Sequence, residues 1–381
     1  MSADRYAFFE RDLAALAAED RLRSLSPSAG YDFASNDYLA LTDCDRLRRA
    51  AERVLAAGVP LGAGGSRLLR GNHPEHEALE AEAATFFRAG ACLAFGSGYA
   101  ANVALVSTLP QRGDLILYDE LVHASMHEGL KSRRAEALAI IHNDADAFDD
   151  AIRHWRDNGG KGTPWILVES LYSMDGDRAP LEALLEIAER HDGFLVVDEA
   201  HATGVFGARG RGLTESMEGH PALVCLHTCG KALGVAGGLV TADRRIVEFL
   251  VNRARPFIFA TAMPPFMAAM LRESLRIVAD EPQRRAALFD LVAHAGARFE
   301  KLGLPVSGSQ ILPVVIGENG PAMRIAADLR EGGFDVRAVR PPTVPAGTAR
   351  LRISITLNVD TATIDALADR LAEALAAEEV A

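Results

Sequence analysis

Four cysteines in 381 residues, Cys44, Cys92, Cys225 and Cys229, are too few for a disulfide framework. The Cys225-x3-Cys229 spacing is not that of a zinc site, and both residues lie in an apolar run, so buried thiols and no metal site are expected. No uninterrupted apolar run reaches the roughly 20 residues that span a bilayer. The opening stretch MSADRYAFFERDLAAL is charged throughout and lacks the apolar core of a secretion signal. Positive charge is in short supply: 40 Lys and Arg face 52 Asp and Glu, a net charge of -12, which argues against a nucleic-acid binder. The phosphate loop GxxxxGK[ST] is missing, as are repeats and low-complexity tracts. What is left, 49% hydrophobic and 24% charged, is expected to be a cytoplasmic enzyme long enough for more than one core.

The first 90 residues mix helices and turns. Tyr6–Leu25 has the pattern of an amphipathic helix, broken by Ser26-Pro27-Ser28-Ala29-Gly30. A short strand and polar turn occupy Tyr31–Leu41, and Gly62–Gly71 is a glycine-rich loop. From about Ala91 short apolar strands alternate with helices. The strands are Cys92–Phe95, Leu115–Tyr118, Ala137–Ile141, Trp165–Glu169 and Phe194–Val197, and Leu223–Val240 adds two more. This alternation predicts an α/β fold with a mostly parallel seven-stranded sheet covered on both faces. Ligands of such sheets sit at the carboxyl ends of the strands. The helix that starts at Pro264 is expected to run on past Pro282 to about Leu302, and the mixed strands and helices that follow predict a smaller α+β C-terminal domain. The divisions expected are a segment 1–44, a large domain 45–282 and a small domain 283–381.

Chemistry-bearing residues gather after the strands. Lys231 lies in Thr228-Cys229-Gly230-Lys231, in a glycine-rich bend without a charged neighbour from Leu223 to Val240. A desolvated lysine loses its proton readily and attacks carbonyls, which suits a Schiff-base lysine. A lysine at a loop edge fits this stretch as well. Asp198-Glu199-Ala200-His201 follows the strand Phe194–Val197. An Asp there holds a buried cation such as a pyridinium nitrogen, with His201 near the same ring, or else caps a turn ahead of a core histidine. Gly96-Ser97-Gly98-Tyr99-Ala100-Ala101 joins a strand to a helix, the geometry that binds phosphate through helix N-terminal amides. It also matches the dinucleotide fingerprint, with Asp119 about 20 residues on, and a lone phosphate suits it equally well. His123 follows the next strand and can stack on a flat heterocycle or cap a helix, and Ser173 follows another strand in a turn-rich run. A phosphate cradle, a stacking ring, an acid, a histidine and a lysine at the strand ends of one sheet favour pyridoxal 5'-phosphate (PLP).

Eight ordered motifs span the chain: Ser35-Asn36-Asp37-Tyr38-Leu39; Gly64-Gly65-Ser66-Arg67 with Gly71-Asn72-His73; Gly98-Tyr99-Ala100-Ala101-Asn102; His123-Ala124-Ser125; Ser173-Met174-Asp175-Gly176-Asp177; Asp198 to Gly204; Thr228 to Lys231; and Arg340 to Pro345 with Arg350-Leu351-Arg352. In these motifs the chain resembles the α-oxoamine synthases, PLP-dependent transferases of fold type I. The resemblance implies that Lys231 carries the cofactor, Asp198 pairs with its ring nitrogen, His123 stacks on the ring, and His201 and Ser173 lie near the ring oxygen. It places Gly98, Tyr99 and Thr228 by the phosphate, and Thr261 by the phosphate held in the partner subunit of a homodimer with shared sites. Arg340 would take the amino-acid carboxylate, and Arg23, Asn36 and Thr343 would lie on the substrate side. The implied reaction is decarboxylative condensation of a small amino acid with an acyl thioester of CoA or of a carrier protein. The Arg340-Pro341-Pro342-Thr343 run leans towards L-alanine and a pimeloyl thioester, a step of biotin synthesis. The alternatives are glycine with acetyl- or succinyl-CoA, serine with a long acyl-CoA, or transamination. Two departures from the family pattern are Ala40, where glycine is frequent, and Arg70, where a small residue is frequent.

Overall fold

The structure, a computed structural model, describes residues 5–380; the first four residues of the stretch read for a secretion signal, and residue 381, lie outside the described part. The described residues form two compact units: Asn36–Ser173 with Asp177–Ala286, and the residues up to Ser35 with Met174–Gly176 and the residues from Ala287 on.

The larger unit is built on one sheet. Its strands are β1 (Ala91–Phe95), β2 (Leu115–Asp119), β3 (Glu136–Ile140), β4 (Pro164–Glu169), β5 (Phe194–Asp198), β6 (Leu223–Thr228) and β7 (Gly238–Ala242). They lie in the order β1-β7-β6-β5-β4-β2-β3. Only β7 runs antiparallel to its neighbours, so the sheet is mostly parallel, as the strand–helix alternation predicts. Both faces are apolar because successive side chains point to opposite sides. Leu167, Val196 and Leu226 feed one core, shared with the helix Gly98–Thr108. Ile166, Leu195 and Val197 feed the other, shared with Ala145–Asp157 and Leu181–Arg190. The register sets Glu169 of β4 beside Asp198 of β5, so these two acidic strand ends finish level.

The smaller unit holds an antiparallel sheet of Arg337–Val339, Ala349–Ser354 and Ile311–Gly317 in that order. Tyr31–Asp32 pairs in parallel with Phe334–Asp335. Helices Asn319–Glu331 and Thr361–Val380 complete it.

Two expectations need correction. The helix begun at Pro265 stops at Asp280, and a separate helix runs from Pro282 to Lys301. The proline ring excludes helical backbone at the residue before it, and Glu281 accordingly takes φ -117 and ψ 59. The N-terminal helix covers only Ala7–Ala18 and buries none of its side chains. It ends ahead of Asp20, which lies at φ 53, a left-handed conformation that terminates helices.

Candidate active site

The bend after β6 is tied by its own backbone. Cys229 N–H donates to Gly237 O at 2.9 Å, Val235 N–H to Cys229 O at 3.1 Å, and Gly234 N–H to Lys231 O at 2.8 Å. This fixes Lys231, half-buried, beside the end of β5. Its Nζ lies 2.8 Å from Nε2 of His201, which is 4% exposed. On the far side of that imidazole, Nδ1 is 2.7 Å from the hydroxyl of Tyr38.

Asp198 is buried and caps its turn, one of the two jobs that its motif left open. Its Oδ1 accepts from Ala200 N–H at 2.9 Å, which caps the turn. Its Oδ2 accepts from Nδ2 of Asn102 at 2.7 Å. The same amide nitrogen donates to Ser125 Oγ at 2.9 Å, and Ser125 Oγ is 2.7 Å from His123 Nδ1. A continuous polar chain thus links the acid to His123. Desolvation holds His123 below its ordinary pKa, with Lys231 acting in the same direction and Asp198 opposing. A neutral imidazole results, suited to stacking rather than to charge. His123 also caps its helix, accepting from Ser125 N–H at 3.2 Å.

The helix Gly98–Thr108 starts directly after β1, with Ser97 as its cap accepting from Ala100 N–H at 3.1 Å. A Cβ on Gly98 would sit 2.3 Å from Thr228 Oγ1, and one on Gly238 would sit 2.9 Å from Gly98 Cα. Only glycine lets the end of β6, the start of β7 and this helix N-terminus close up. Tyr99 is half exposed at the same helix start. Ser173 is buried, and its N–H donates to Glu169 Oε2 at 3.1 Å. Burial beside Asp198 pushes Glu169 up to about 8. The two carboxyls end level, so charge near Asp198 disfavours charge on Glu169.

Gly98, Thr228, His123, Asp198, His201 and Lys231 therefore belong to one group at the strand ends of the larger unit. Thr261 is exposed, in a loop where Ala262 N–H donates to Gly65 O at 2.9 Å. Asn36 accepts from the Tyr38 hydroxyl at 3.0 Å. In the smaller unit Arg23 Nη2 donates to Thr343 Oγ1 at 3.2 Å, and Arg340 donates to the carbonyl of Asp20. Desolvation and the nearby Arg23 lower the pKa of Arg340. On the strand Ala349–Ser354, Arg350 pairs with Asp175 while buried Arg352 donates to Ser354 Oγ at 2.7 Å. Arg70 is exposed. Asn102, Ser125, Tyr38 and Glu169 carry no role in the sequence reading. The first three stand inside the quoted motifs, and Glu169 ends a strand, so position alone was the available signal.

These residues fit PLP. A glycine-lined helix N-terminus suits a phosphate, buried Asp198 suits a pyridinium nitrogen, and Lys231 suits the aldehyde. The Oδ1 of Asn102 and the Oε1 of Glu169 are buried without a hydrogen-bond partner, so acceptors remain for a bound molecule. Among the described residues no group of His, Cys, Asp and Glu is arranged to hold a metal ion, and no helix is long and apolar enough to cross a membrane.

Residues 29–371 match the family Aminotransferase class I and II. The chain is 41% identical to an 8-amino-7-oxononanoate synthase of Anaeromyxobacter dehalogenans, covering 96% of this chain and 94% of that one. It is 43% identical to the protein of the same name from Chromobacterium violaceum, over 88% and 87% of the two chains. Among solved structures it superposes on serine palmitoyltransferase from S. paucimobilis, which carries PLP, with a TM-score of 0.90, 25% identity and full coverage of both chains. The 8-amino-7-oxononanoate synthase of Francisella tularensis gives a TM-score of 0.78 at 27% identity, over 92% of this chain and 99% of that one. With the fold type, the strand-end lysine and acid, and these relatives in agreement, the chain belongs to the α-oxoamine synthases, PLP-dependent acyltransferases within the aminotransferase class I and II family.

Proposed function

We propose that this enzyme condenses L-alanine with a pimeloyl thioester, of CoA or of a carrier protein, to give 8-amino-7-oxononanoate, carbon dioxide and free thiol, in biotin synthesis. The observation that carries the choice of substrates is about 40% identity, over nearly the whole chain, to proteins named for that product. A second reading, serine with a long acyl thioester, is favoured by the TM-score of 0.90 to serine palmitoyltransferase, but at 25% identity.

Bound PLP supplies an electron sink for the carbanion at the amino-acid α-carbon. Lys231 Nζ would hold the cofactor, and its free amine would take the α-proton of the amino acid. His201 orients Nζ from 2.8 Å. Asp198, whose oxygens accept from Asn102 and Ala200, would pair with the ring nitrogen. Neutral His123 would cover the ring, and Ser173 would lie near the ring oxygen. Gly98, Tyr99 and Thr228 take the phosphate through helix N-terminal amides and a hydroxyl. Arg340 takes the amino-acid carboxylate with a guanidinium fork, and Asn36, Arg23 and Thr343 line the substrate side. The enzyme works in the cytoplasm as a homodimer, with Thr261 reaching the partner's phosphate. Exposed Phe259, Leu69 and Leu61, 71%, 87% and 69% accessible, support a covered apolar surface in the same region as Thr261.

A matrix of alanine, glycine and serine against pimeloyl, acetyl, succinyl and palmitoyl thioesters, followed by free thiol, tests this reading. Alanine with the pimeloyl thioester is expected to exceed the other pairs by about tenfold or more, the range that one methyl group commands. Absence of thiol release with alanine would overturn it. Lys231→Ala is expected to abolish both turnover and the absorbance of lysine-linked cofactor.

A further inference from the structure

We propose that Tyr38 is a positioning residue: its hydroxyl fixes which nitrogen of His201 carries the proton, leaving Nε2 as the acceptor that faces Lys231. The inference rests on the reading of Lys231 as the cofactor-bearing lysine.

Tyr38 is fully buried, at 0% exposure. Its hydroxyl stands between His201 Nδ1 at 2.7 Å and Asn36 Oδ1 at 3.0 Å. Beyond the imidazole, His201 Nε2 is 2.8 Å from Lys231 Nζ. The four side chains form a line, Lys231, His201, Tyr38, Asn36. The Asn36 end fixes its direction. An amide oxygen only accepts, so the Tyr38 proton points at Asn36 Oδ1. A neutral imidazole has one N–H and one lone pair, and a phenol has one proton. With the one phenol proton on Asn36 Oδ1, the Tyr38 oxygen accepts from Nδ1–H of His201, and the lone pair of Nε2 faces Nζ.

The choice of a phenol has a physical consequence. A carboxylate in its place would stabilise the imidazolium form and set a second positive charge against Lys231. A phenol orients the ring and selects the tautomer while adding no charge. The turn that bears it is held firmly. Asp37, 6% exposed, accepts from Leu41 N–H at 2.8 Å and from Thr42 N–H at 3.2 Å. The Ser35-to-Leu39 motif thereby gains a task at the lysine.

The test uses full-length protein labelled with 15N in histidine, and Tyr38→Phe beside it. In cofactor-free wild type, His201 is expected to show a protonated Nδ1 and an unprotonated Nε2. In Tyr38→Phe the two nitrogen shifts are expected to converge as both tautomers fill. In the PLP-loaded proteins, the pH midpoint of the cofactor absorbance is expected to move by about one unit. Turnover with alanine should drop about tenfold, with KM for alanine changed less than about twofold. A proton on Nε2 in wild type overturns the proposal, as does a Tyr38→Phe protein in which neither tautomer nor midpoint moves. Should Tyr38→Phe fail to fold, the wild-type tautomer alone decides. Failure of thiol release with alanine, by contrast, would sink the substrate assignment and leave the nitrogen shifts untouched.

Discussion

Ala40 sits at φ 50, in the left-handed region where a Cβ crowds the following carbonyl. That conformation costs a non-glycine residue about 1–2 kcal/mol. It is held there by the same turn that carries Asn36 and Tyr38: Ala40 N–H donates to Asp37 O at 2.9 Å, and Asp37 Oδ1 receives Leu41 N–H. The family's frequent glycine at this place has a conformational reason, and this chain carries the strain instead. Ala40→Gly relieves it but gives the unfolded chain more freedom, so the net gain is about 0.5–1 kcal/mol. Differential scanning calorimetry should show the thermal midpoint rising by about 1–3 °C, with cofactor absorbance unchanged. A lower midpoint would mean that the turn tolerates alanine without cost.

At the scale of elements, the start of the helix Gly98–Thr108 has the least room. The carboxyl end of β6 and the first residue of β7 both press on it, through Thr228 and Gly238. Gly98→Ala puts a methyl group 2.3 Å from Thr228 Oγ1, so the hydroxyl must turn away from the helix N-terminus. A phosphate bound at this helix start would lose one donor, and the amides would be partly covered. The dissociation constant for PLP is expected to rise by about tenfold, a donor's worth of about 1.4 kcal/mol, in an absorbance titration of cofactor-free protein. Unchanged affinity would remove this helix start from the phosphate site. Local pattern makes this element legible in the sequence: strand, glycines, helix. The same holds for Asp198 and Lys231, each at the end of an apolar run. What is not legible is long range. Asn102 and Asp198 are 96 residues apart, and Tyr38 and His201 are 163 apart; only the sheet order brings each pair within hydrogen-bond reach. Nor does periodicity distinguish β7 as the one antiparallel strand, because an apolar strand buried on both faces has the same composition in either direction. The break at Pro282 is a matter of backbone sterics, which the helical pattern on both sides masks.

Across the larger unit as a whole, one ion cluster joins three separate segments at the β2 and β3 ends of the sheet. His142 Nδ1 is 2.9 Å from Asp119 at the end of β2, and its Nε2 is 2.7 Å from Asp177 in the loop that follows β4. The imidazole also meets the Tyr172 ring edge-on at 4.4 Å. Burial lowers its proton affinity, but the hydrogen bonds to Asp119 and Asp177 outweigh burial and raise the pKa from 6.5 to about 10. A group whose folded value lies above its unfolded one stabilises fully below the unfolded value. His142 therefore contributes its full stabilisation below pH 6.5, and that contribution fades as pH rises towards about 10. Glu169, raised to about 8, and Glu218, raised to about 7, are acids whose own losses run below those values. Between about pH 8 and 10 His142 supplies part of the slope, and the buried thiols of Cys92, Cys225 and Cys229, which burial holds protonated above their ordinary 9.0, supply the rest. One proton held only in the folded state gives a slope of up to about 1.4 kcal/mol per pH unit. Denaturant unfolding of the wild type at pH 8.5, 9 and 9.5 should show falling stability. His142→Gln, which retains hydrogen bonding but cannot carry the charge, should be less stable at pH 7 and should fall less steeply than the wild type across that range, the slope that remains belonging to the buried thiols. A variant with the wild-type slope would show that the proton is not held there.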